Sequence, residues 1–200
     1  GQVSGVVRGL TATNLVESGD FSLGAEGWTF TTPQAAEVFS FTDQMRISGT
    51  ATNTGGYYQD INGNTDDQYY VGFEYIHNSG NDPRVTIRNY GTWDNTREVT
   101  LSQKSGTKSI IVSNNVDGIR LYFQSQTGNS YDCSIDNIIA INLTATFGEG
   151  NEPTKDECDQ IFASYFDGTK STIGSARISS ADDIGEIKDR AYVTAEKDAK

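Results

Sequence analysis

Residues 69–77 read YYVGFEYIH, and the alternation of side chains in this stretch decides which fold the sequence predicts. A β-strand places successive side chains on opposite faces of a sheet. Val71, Phe73 and Tyr75 therefore share one apolar face, whereas Glu74 lies on the other. An apolar face must be buried against another layer, so this segment predicts a strand of a two-layered β-structure.

The same alternation recurs in RVTIRNY at 84–90 and in GIRLYFQ at 118–124. Turn-forming stretches such as SGTATNTGG and HNSGNDP separate the apolar runs, and no amphipathic helix lies between them. The sequence predicts an all-β fold, a jelly-roll β-sandwich of about eight antiparallel strands with a short capping helix and a polar C-terminal tail after it. The predicted strands are Ala36–Phe41, Gln44–Ser48, Tyr57–Ile61, Tyr69–His77, Arg84–Tyr90, Lys108–Ser113, Gly118–Gln124 and Ser134–Leu143.

The side chains opposite the apolar positions form an outer face that is rich in tyrosine, arginine and amide groups. Aromatic rings stack on the apolar faces of sugars, and guanidinium, carboxylate and amide groups hydrogen-bond to hydroxyls. Trp93, in the loop NYGTWDNT, either presents its ring to a ligand or folds back onto an edge of the sandwich. The predicted carbohydrate-binding residues are Glu74, Arg88, Tyr90, Trp93, Arg120, Tyr122 and Gln124.

Residues 145–168 predict a turn and a helix that caps the sandwich. Thr154 fits the N-cap position, with Glu157 three residues later completing a capping box. An apolar stripe requires this helix to pack against something, most simply one end of the sandwich, and Gly168 is placed to end it. The stripe consists of Cys158, Ile161, Phe162 and Tyr165.

The two ends of the chain differ in character from its centre. Residues 1–12 are expected to lead in from a preceding segment, residues 13–144 to form the sandwich, and residues 169–200 to begin as a linker. Ile184, Ile187 and Ala191 recur at the spacing of a helix, so the last segment is either the start of a coiled coil or a short isolated helix. We expect the chain to be a fragment of a longer protein.

The net charge of −12 and the rarity of catalytic residue types narrow the function. An acidic surface repels phosphate backbones, and no stretch approaches the length of a membrane span, so neither nucleic acid nor membrane insertion is predicted. Cys133 and Cys158 are expected to be two small buried thiols. The one histidine, His77, lacks the framing of a nucleophile site, so we predict that the chain is not an enzyme.

Several segments, taken in their order along the chain, resemble known families. NLVESGDFSLGAEGW at 14–28, GGYYQDI at 55–61 and YDCSIDNIIAINL at 131–143 resemble the opening, middle and closing strands of CBM4/9-like carbohydrate-binding modules, the jelly-roll group that binds cellulose and xylan. NLTATFGEGNEPTKDE at 142–157 resembles a segment of tail and baseplate proteins of phages that infect Gram-positive bacteria, where it follows such a module. The resemblance implies a virion protein, with other tail subunits as partners and a homotrimer as one assembly.

The resemblance also implies a structural calcium ion that ties the first strand to the last. Its ligands would be Asp20 through its carbonyl oxygen, Ser22 and Asp136. The related modules often have an acidic residue where this chain has Ser22, which removes one carboxylate from the expected set.

Two functions stay open at the level of sequence. One is a non-catalytic module that recognises a host-surface glycan during phage attachment. The other is a structural spacer or assembly domain of a tail fibre or baseplate, with no ligand.

Overall fold

The computed structural model describes residues 12–31, 38–94, 97–102, 104–113 and 116–162, together with two short strands at 176–177 and 192–193. The central part is a sandwich of two antiparallel five-stranded sheets, as the sequence predicted. The strands of this sandwich are β1 (Thr29–Phe30), β2 (Phe39–Phe41), β3 (Met45–Thr50), β4 (Gly55–Asn62), β5 (Gln68–Gly80), β6 (Arg84–Asn89), β7 (Arg97–Thr100), β8 (Ser105–Ser113), β9 (Gly118–Ser125) and β10 (Ser130–Asn142).

The strand order separates neighbouring segments of the chain into different layers. One sheet has the order β1-β4-β9-β6-β7, and the other has the order β2-β3-β10-β5-β8. We call them the β9 sheet and the β10 sheet, after their central strands. The connection from β5 to β6 therefore crosses between layers, so two consecutive strands with the same alternating pattern expose their polar side chains on opposite sides of the molecule.

The apolar core lies between the sheets. Val71 and Phe73 of β5 face Ile119 and Leu121 of β9 across this layer, and each is at most 2% exposed. The inward faces predicted from alternation are thus confirmed for β5, β6 and β9. Burial of these aliphatic and aromatic side chains supplies the main driving force for the sandwich.

The segment before β1 is attached to the closing strand by a buried asparagine. Asn14 is fully buried; its Nδ2 donates to the carbonyl oxygen of Ile138 at 3.2 Å, and its Oδ1 accepts from the amides of Val16 and Ala140 at 3.1 and 2.9 Å. The Leu15 amide also donates to the carbonyl oxygen of Ala140. The Asn14 side chain therefore links the first segment to β10 in place of the regular backbone hydrogen bonds of a strand pair.

Several strands differ from the sequence prediction: the sandwich has ten strands rather than about eight, β5 continues to Gly80, and β10 begins at Ser130. β1 and β7 were not predicted, because one has two residues and the other, REVT, has no buried position to give an alternating signal. β8 begins at Ser105, three residues before the predicted Lys108, since its first residues are exposed and polar.

Two helices follow β10: α1 (Leu143–Phe147) and α2 (Lys155–Phe162). α1 was not predicted; the expected strand through Leu143 ends one residue earlier, because the Asn142 side chain accepts from the Ala145 amide and caps a helix. The predicted capping box is confirmed at α2, where the Thr154 amide and hydroxyl both donate to Glu157 at 2.8 Å.

α2 packs on the outer face of the β10 sheet, and the prediction that it closes one end of the sandwich is wrong. Phe162 contacts Tyr70, whose side chain points away from the core, with the ring centroids 5.4 Å apart. Asp159 accepts from the Tyr70 hydroxyl at 2.9 Å and from Ser109 and Lys155. Alternation predicted Tyr70 as an outer residue, but only the tertiary structure shows that a helix buries it.

The C-terminal predictions lie largely outside the described residues. Tyr165, Gly168 and the coiled-coil positions Ile184, Ile187 and Ala191 are not among them. The described part of this segment is an antiparallel pair of β11 (Ala176–Arg177) and β12 (Tyr192–Val193). Within the residues that the structure describes, neither helix has the length and apolarity to cross a bilayer.

Candidate functional site

The outer face of the β9 sheet carries most of the predicted carbohydrate-binding residues. Arg88 lies on β6, Arg120 and Tyr122 lie on β9, and the strands pair so that Arg88 is opposite Arg120. Glu74 is not part of this group. It lies on β5 in the other sheet, so its predicted place beside the arginines is wrong: strand alternation reports which residues share a face of one strand but not which strands share a sheet.

Trp93 folds over this outer face from the β6–β7 loop. Its ring centroid lies 5.2 Å from that of Tyr122 and 5.9 Å from that of Tyr58. The guanidinium carbons of Arg88 and Arg120 lie 5.3 and 4.6 Å from the indole. Trp93 as a whole residue nevertheless stays 47% exposed, so it is both packed and available at the surface. We call these five side chains the Trp93 cluster.

Arg120 is the most deeply buried arginine of this cluster and is paired with a carboxylate. Its Nε and Nη2 each donate to Asp60 at 2.7 Å, a bidentate geometry. Its guanidinium carbon is 4.2 Å from the Tyr58 ring centroid. The hydrogen bonds to Asp60 raise the pKa of Arg120 further above its usual range. The residue is only 6% exposed, so the prediction that it offers its guanidinium directly to a sugar is not supported by its position.

Tyr122 faces outward but is covered. It is 4% exposed because Trp93 and Arg88 lie over its ring, and its hydroxyl is 3.2 Å from Thr31 Oγ1. Burial raises the pKa of the Tyr122 phenol. Tyr122 is therefore a support for Trp93 in this arrangement rather than an open stacking surface.

The two remaining predicted residues lie at the margins of the same sheet. Tyr90 follows β6 and is 36% exposed, and its amide donates to the Gly118 carbonyl oxygen. Gln124 is half-buried near the end of β9, paired with Gly56 on one side and Arg84 on the other. The structure thus places Tyr90 beside the Trp93 cluster along β6, and Gln124 further along β9.

A groove of about 470 Å³ runs along the edge of β4 next to the Trp93 cluster. Tyr58 and Asp60 border both the groove and the cluster, so the two features form one continuous surface. Sequence reasoning missed both residues, although the alternation in GGYYQDI placed them on one face. The polar groups that line the groove belong to Glu17, Thr29, Tyr58, Gln59, Asp60 and Asn62.

The predicted calcium ligands lie on the other side of the molecule. The pKa of Asp136 is raised to about 6, because the carboxyl is partly buried and lies near Glu74, Asp20 and Asp43. Ser22 is exposed, and its amide donates to the Asp20 carboxylate at 3.3 Å. Among the described residues, no three carboxylate, histidine or cysteine side chains converge into a preformed metal cage.

The single histidine is buried at the end of β5. Its Nε2 lies 3.0 Å from the Ser79 carbonyl oxygen, and its Nδ1 lies 3.5 Å from an Asp82 carboxylate oxygen. Cys133 pairs with His77 across β5 and β10, but burial raises the pKa of this thiol to about 12. A neutral, fully buried thiol is a packing residue rather than a nucleophile, and Cys158 is likewise a buried free thiol.

No protein-family model matches the chain, and no curated protein matches its sequence. Several solved structures are similar in fold. The enzymatically active domain of tailspike protein 4 from bacteriophage CBA120 gives a TM-score of 0.51 at 12% identity, over 64% of this chain and 21% of that chain. This chain thus spans about a fifth of the tailspike domain, and at such identity the likeness shows the sandwich fold alone.

Two carbohydrate-binding domains give lower scores. A CBM4 domain has a TM-score of 0.48 at 16% identity, over 63% of this chain and 98% of that chain. The N-terminal cellulose-binding domain of Cellulomonas fimi β-1,4-glucanase C has a TM-score of 0.47 at 12% identity, over 62% of this chain and 95% of that chain.

Proposed function

We propose that this chain is a non-catalytic carbohydrate-binding module and that it binds sugar on the outer face of the β9 sheet. The observation that carries the proposal is the half-exposed indole of Trp93, held by two arginines and two tyrosines beside a polar groove. A half-exposed indole that two tyrosine rings and two guanidinium groups hold in place presents a fixed aromatic surface, on which the apolar face of a sugar ring can pack.

The chemistry of the surface suits a sugar chain. The C–H faces of a pyranose ring pack on an indole, and adjacent hydroxyls need hydrogen-bond partners at the side of that ring. Trp93 offers the first contact, and the groove beside it offers the carboxylate, amide and hydroxyl groups of Glu17, Asn62 and Thr29.

The architecture favours this face over its opposite. On the β10 sheet, α2 covers the outer side chains Tyr70, Ile139 and Ile141. The β9 sheet has no described helix on its outer face, so Trp93 and Tyr90 are accessible from solvent there, although Tyr122 is covered.

We further propose that the module serves a phage tail protein, where it recognises a glycan on the surface of the host. The support is the resemblance of residues 142–157 to a segment of phage tail and baseplate proteins. In that setting the partners are other tail subunits, a homotrimer is one assembly, and the protein resides in the virion.

The Trp93 cluster also favours the second function, a structural spacer without a ligand. Arg120 has its own carboxylate, and Tyr122 has its own hydroxyl partner, so the cluster is internally satisfied. In that function the cluster is structural: Trp93 packs on the outer face of the β9 sheet and holds its loop against the sheet.

A glycan array of cell-wall, capsular and plant polysaccharides distinguishes the two functions. A binding module gives a reproducible signal on at least one glycan. Trp93→Ala should then weaken the affinity for that glycan by about 1–3 kcal/mol, roughly 5- to 150-fold. Ile76→Ala is the matched control, because Ile76 is 46% exposed on the other sheet and its loss is expected to leave binding unchanged. If no glycan binds while the parent tail protein still adsorbs to cells, the spacer function is correct.

A structural calcium ion at Asp136 is a separate proposal. The neighbouring carboxylates Asp20, Asp43 and Glu74 create a negative potential that a cation relieves, although they do not form a closed cage. EDTA is expected to lower the melting temperature by several degrees, and Asp136→Ala to abolish this sensitivity. A melting curve indifferent to both calcium and EDTA rules the ion out.

A further inference from the structure

We infer that the Asp60–Arg120 pair is a positioning element of the proposed sugar site: it fixes the orientation of Trp93 and Tyr58, and Arg120 itself does not contact the ligand. This inference rests on the proposed function, since it explains how a loop indole is made ready for a sugar. It assigns Arg120 a role different from the direct contact that its position on the outer face suggested.

The geometry of Arg120 leaves its guanidinium little freedom to serve a ligand. Asp60 takes two donors at 2.7 Å, and the side chain of Arg120 is 8% exposed. The Tyr58 and Trp93 centroids lie 4.2 and 4.6 Å from the guanidinium carbon and 5.9 Å from each other. From these three distances, the directions from the guanidinium carbon to the two ring centroids form roughly a right angle. Arg120 therefore fills the corner between two rings that meet edge to face.

The Asp60 carboxylate determines the position of the Arg120 guanidinium between the two rings. Asp60 lies opposite Arg120 across β4 and β9, and Tyr58 lies two residues from Asp60 on the same face of β4. Strand pairing therefore fixes the carboxylate, the carboxylate fixes the guanidinium, and the guanidinium orients both rings. Trp93, from a loop outside the pairing, is the one member of this series that the sheet ladder does not hold.

Fixing the indole in advance matters for affinity. A mobile surface tryptophan loses rotamer freedom when a sugar packs on it, and this loss weakens binding. A cation held against the ring by a buried pair removes part of that cost before the ligand arrives. Lysine cannot replace arginine here, because an ammonium is not planar and cannot bond Asp60 in a bidentate manner.

The same sheet contains a matched control pair. Arg84 on β6 bonds Glu98 on β7 through Nη1 at 3.2 and 3.3 Å, and both side chains are more than 40% exposed. Arg84→Lys thus makes the same chemical change in an arginine–carboxylate pair at the rim of the sheet. An exposed pair of this kind contributes little to stability.

The test uses ¹⁹F NMR of 5-fluorotryptophan-labelled protein together with affinity electrophoresis. The chain has two tryptophans, and the buried Trp28 is an internal reference for the exposed Trp93. We expect Arg120→Lys to shift the Trp93 resonance and change its linewidth, with Trp28 unaffected. Gels containing hydroxyethylcellulose, xylan or a purified Gram-positive wall polysaccharide retard a protein that binds the polysaccharide. In these gels Arg120→Lys should be retarded less than the wild type, with an apparent Kd that is roughly tenfold higher. Arg84→Lys should change neither readout.

A second variant guards against simple loss of folding. Asp60→Asn combined with Arg120→Gln removes both charges, so no unpaired ion stays buried, and it should reproduce both effects. The inference is overturned if Arg120→Lys leaves the Trp93 resonance unchanged, or if the resonance changes while retardation does not. If the wild-type protein is retarded by none of the polysaccharides, the proposed function fails and the binding half of the inference falls with it. The NMR result then decides separately whether the pair orders the indole.

Discussion

Replacing Asn14 by alanine should destabilise the sandwich more than any surface substitution. Asn14 makes three buried hydrogen bonds, two accepted by Oδ1 and one donated by Nδ2. Alanine removes all three and leaves the amides of Val16 and Ala140 and the carbonyl of Ile138 without this partner. A net hydrogen bond contributes about 1 kcal/mol, and an unsatisfied buried group costs somewhat more, so the expected loss is about 3 kcal/mol, within a range of roughly 2–5 kcal/mol.

Urea denaturation followed by tryptophan fluorescence measures this loss directly. For a domain of this size, about 3 kcal/mol corresponds to a melting temperature lower by roughly 6–12 °C. Asn151→Ala is the matched control, because Asn151 is exposed and, within the described residues, its side chain bonds only to the nearby Glu149 carbonyl oxygen. Its effect should stay within about 0.5 kcal/mol.

The reasoning is refuted if Asn14→Ala loses less than about 1 kcal/mol, since that would mean the first segment is not held to β10 through this side chain. Asn14→Asp provides a second check. It retains the acceptor for both amides but loses the donor to Ile138, and a buried carboxylate is costly. This variant should therefore be less stable than the wild type at neutral pH and recover part of the difference as the pH falls.

Three further predictions concern other parts of the chain. The pKa of Asp136, raised to about 6, favours the protonated carboxyl in the folded state, so in EDTA the wild-type stability should fall as the pH rises from about 4 through 6. Urea midpoints of Asp136→Asn should lack this slope and exceed those of the wild type above pH 6; identical slopes would contradict the assignment. Thr154→Ala removes half of the capping box and should lower the free energy of unfolding by about 1 kcal/mol, with an unchanged value arguing against the cap. Among the described residues the buried Tyr69 hydroxyl has no hydrogen-bond partner and lies against Gly63, so Tyr69→Phe should be neutral or stabilising by up to about 1 kcal/mol, and it should partly rescue the otherwise destabilising Gly63→Ala. If the effects of the two substitutions simply add in the double variant, the hydroxyl and the new methyl group do not meet.

Local patterns in the sequence were sufficient for the fold class and for much of its detail. Alternation in 69–77, 84–90 and 118–124 identified the inward face of three strands, because a period of two is a property of the extended backbone itself. The capping box at Thr154 and Glu157 was equally local, since its partners lie within one helical turn. Short elements without a buried face, such as β7, gave no such signal.

Only the tertiary structure decided how these elements are grouped. Glu74 and Arg88 follow the same strand pattern, but β5 and β6 belong to different sheets, so one faces a cluster of carboxylates and the other faces Trp93. Likewise, alternation placed Tyr70 and Tyr122 outside the core, yet α2 covers one and the Trp93 loop covers the other. The physical reason is that backbone periodicity sets the direction of a side chain, whereas its neighbours are set by contacts between segments 30 to 90 residues apart, as in the pairing of Asp60 with Arg120 or Asp159 with Tyr70.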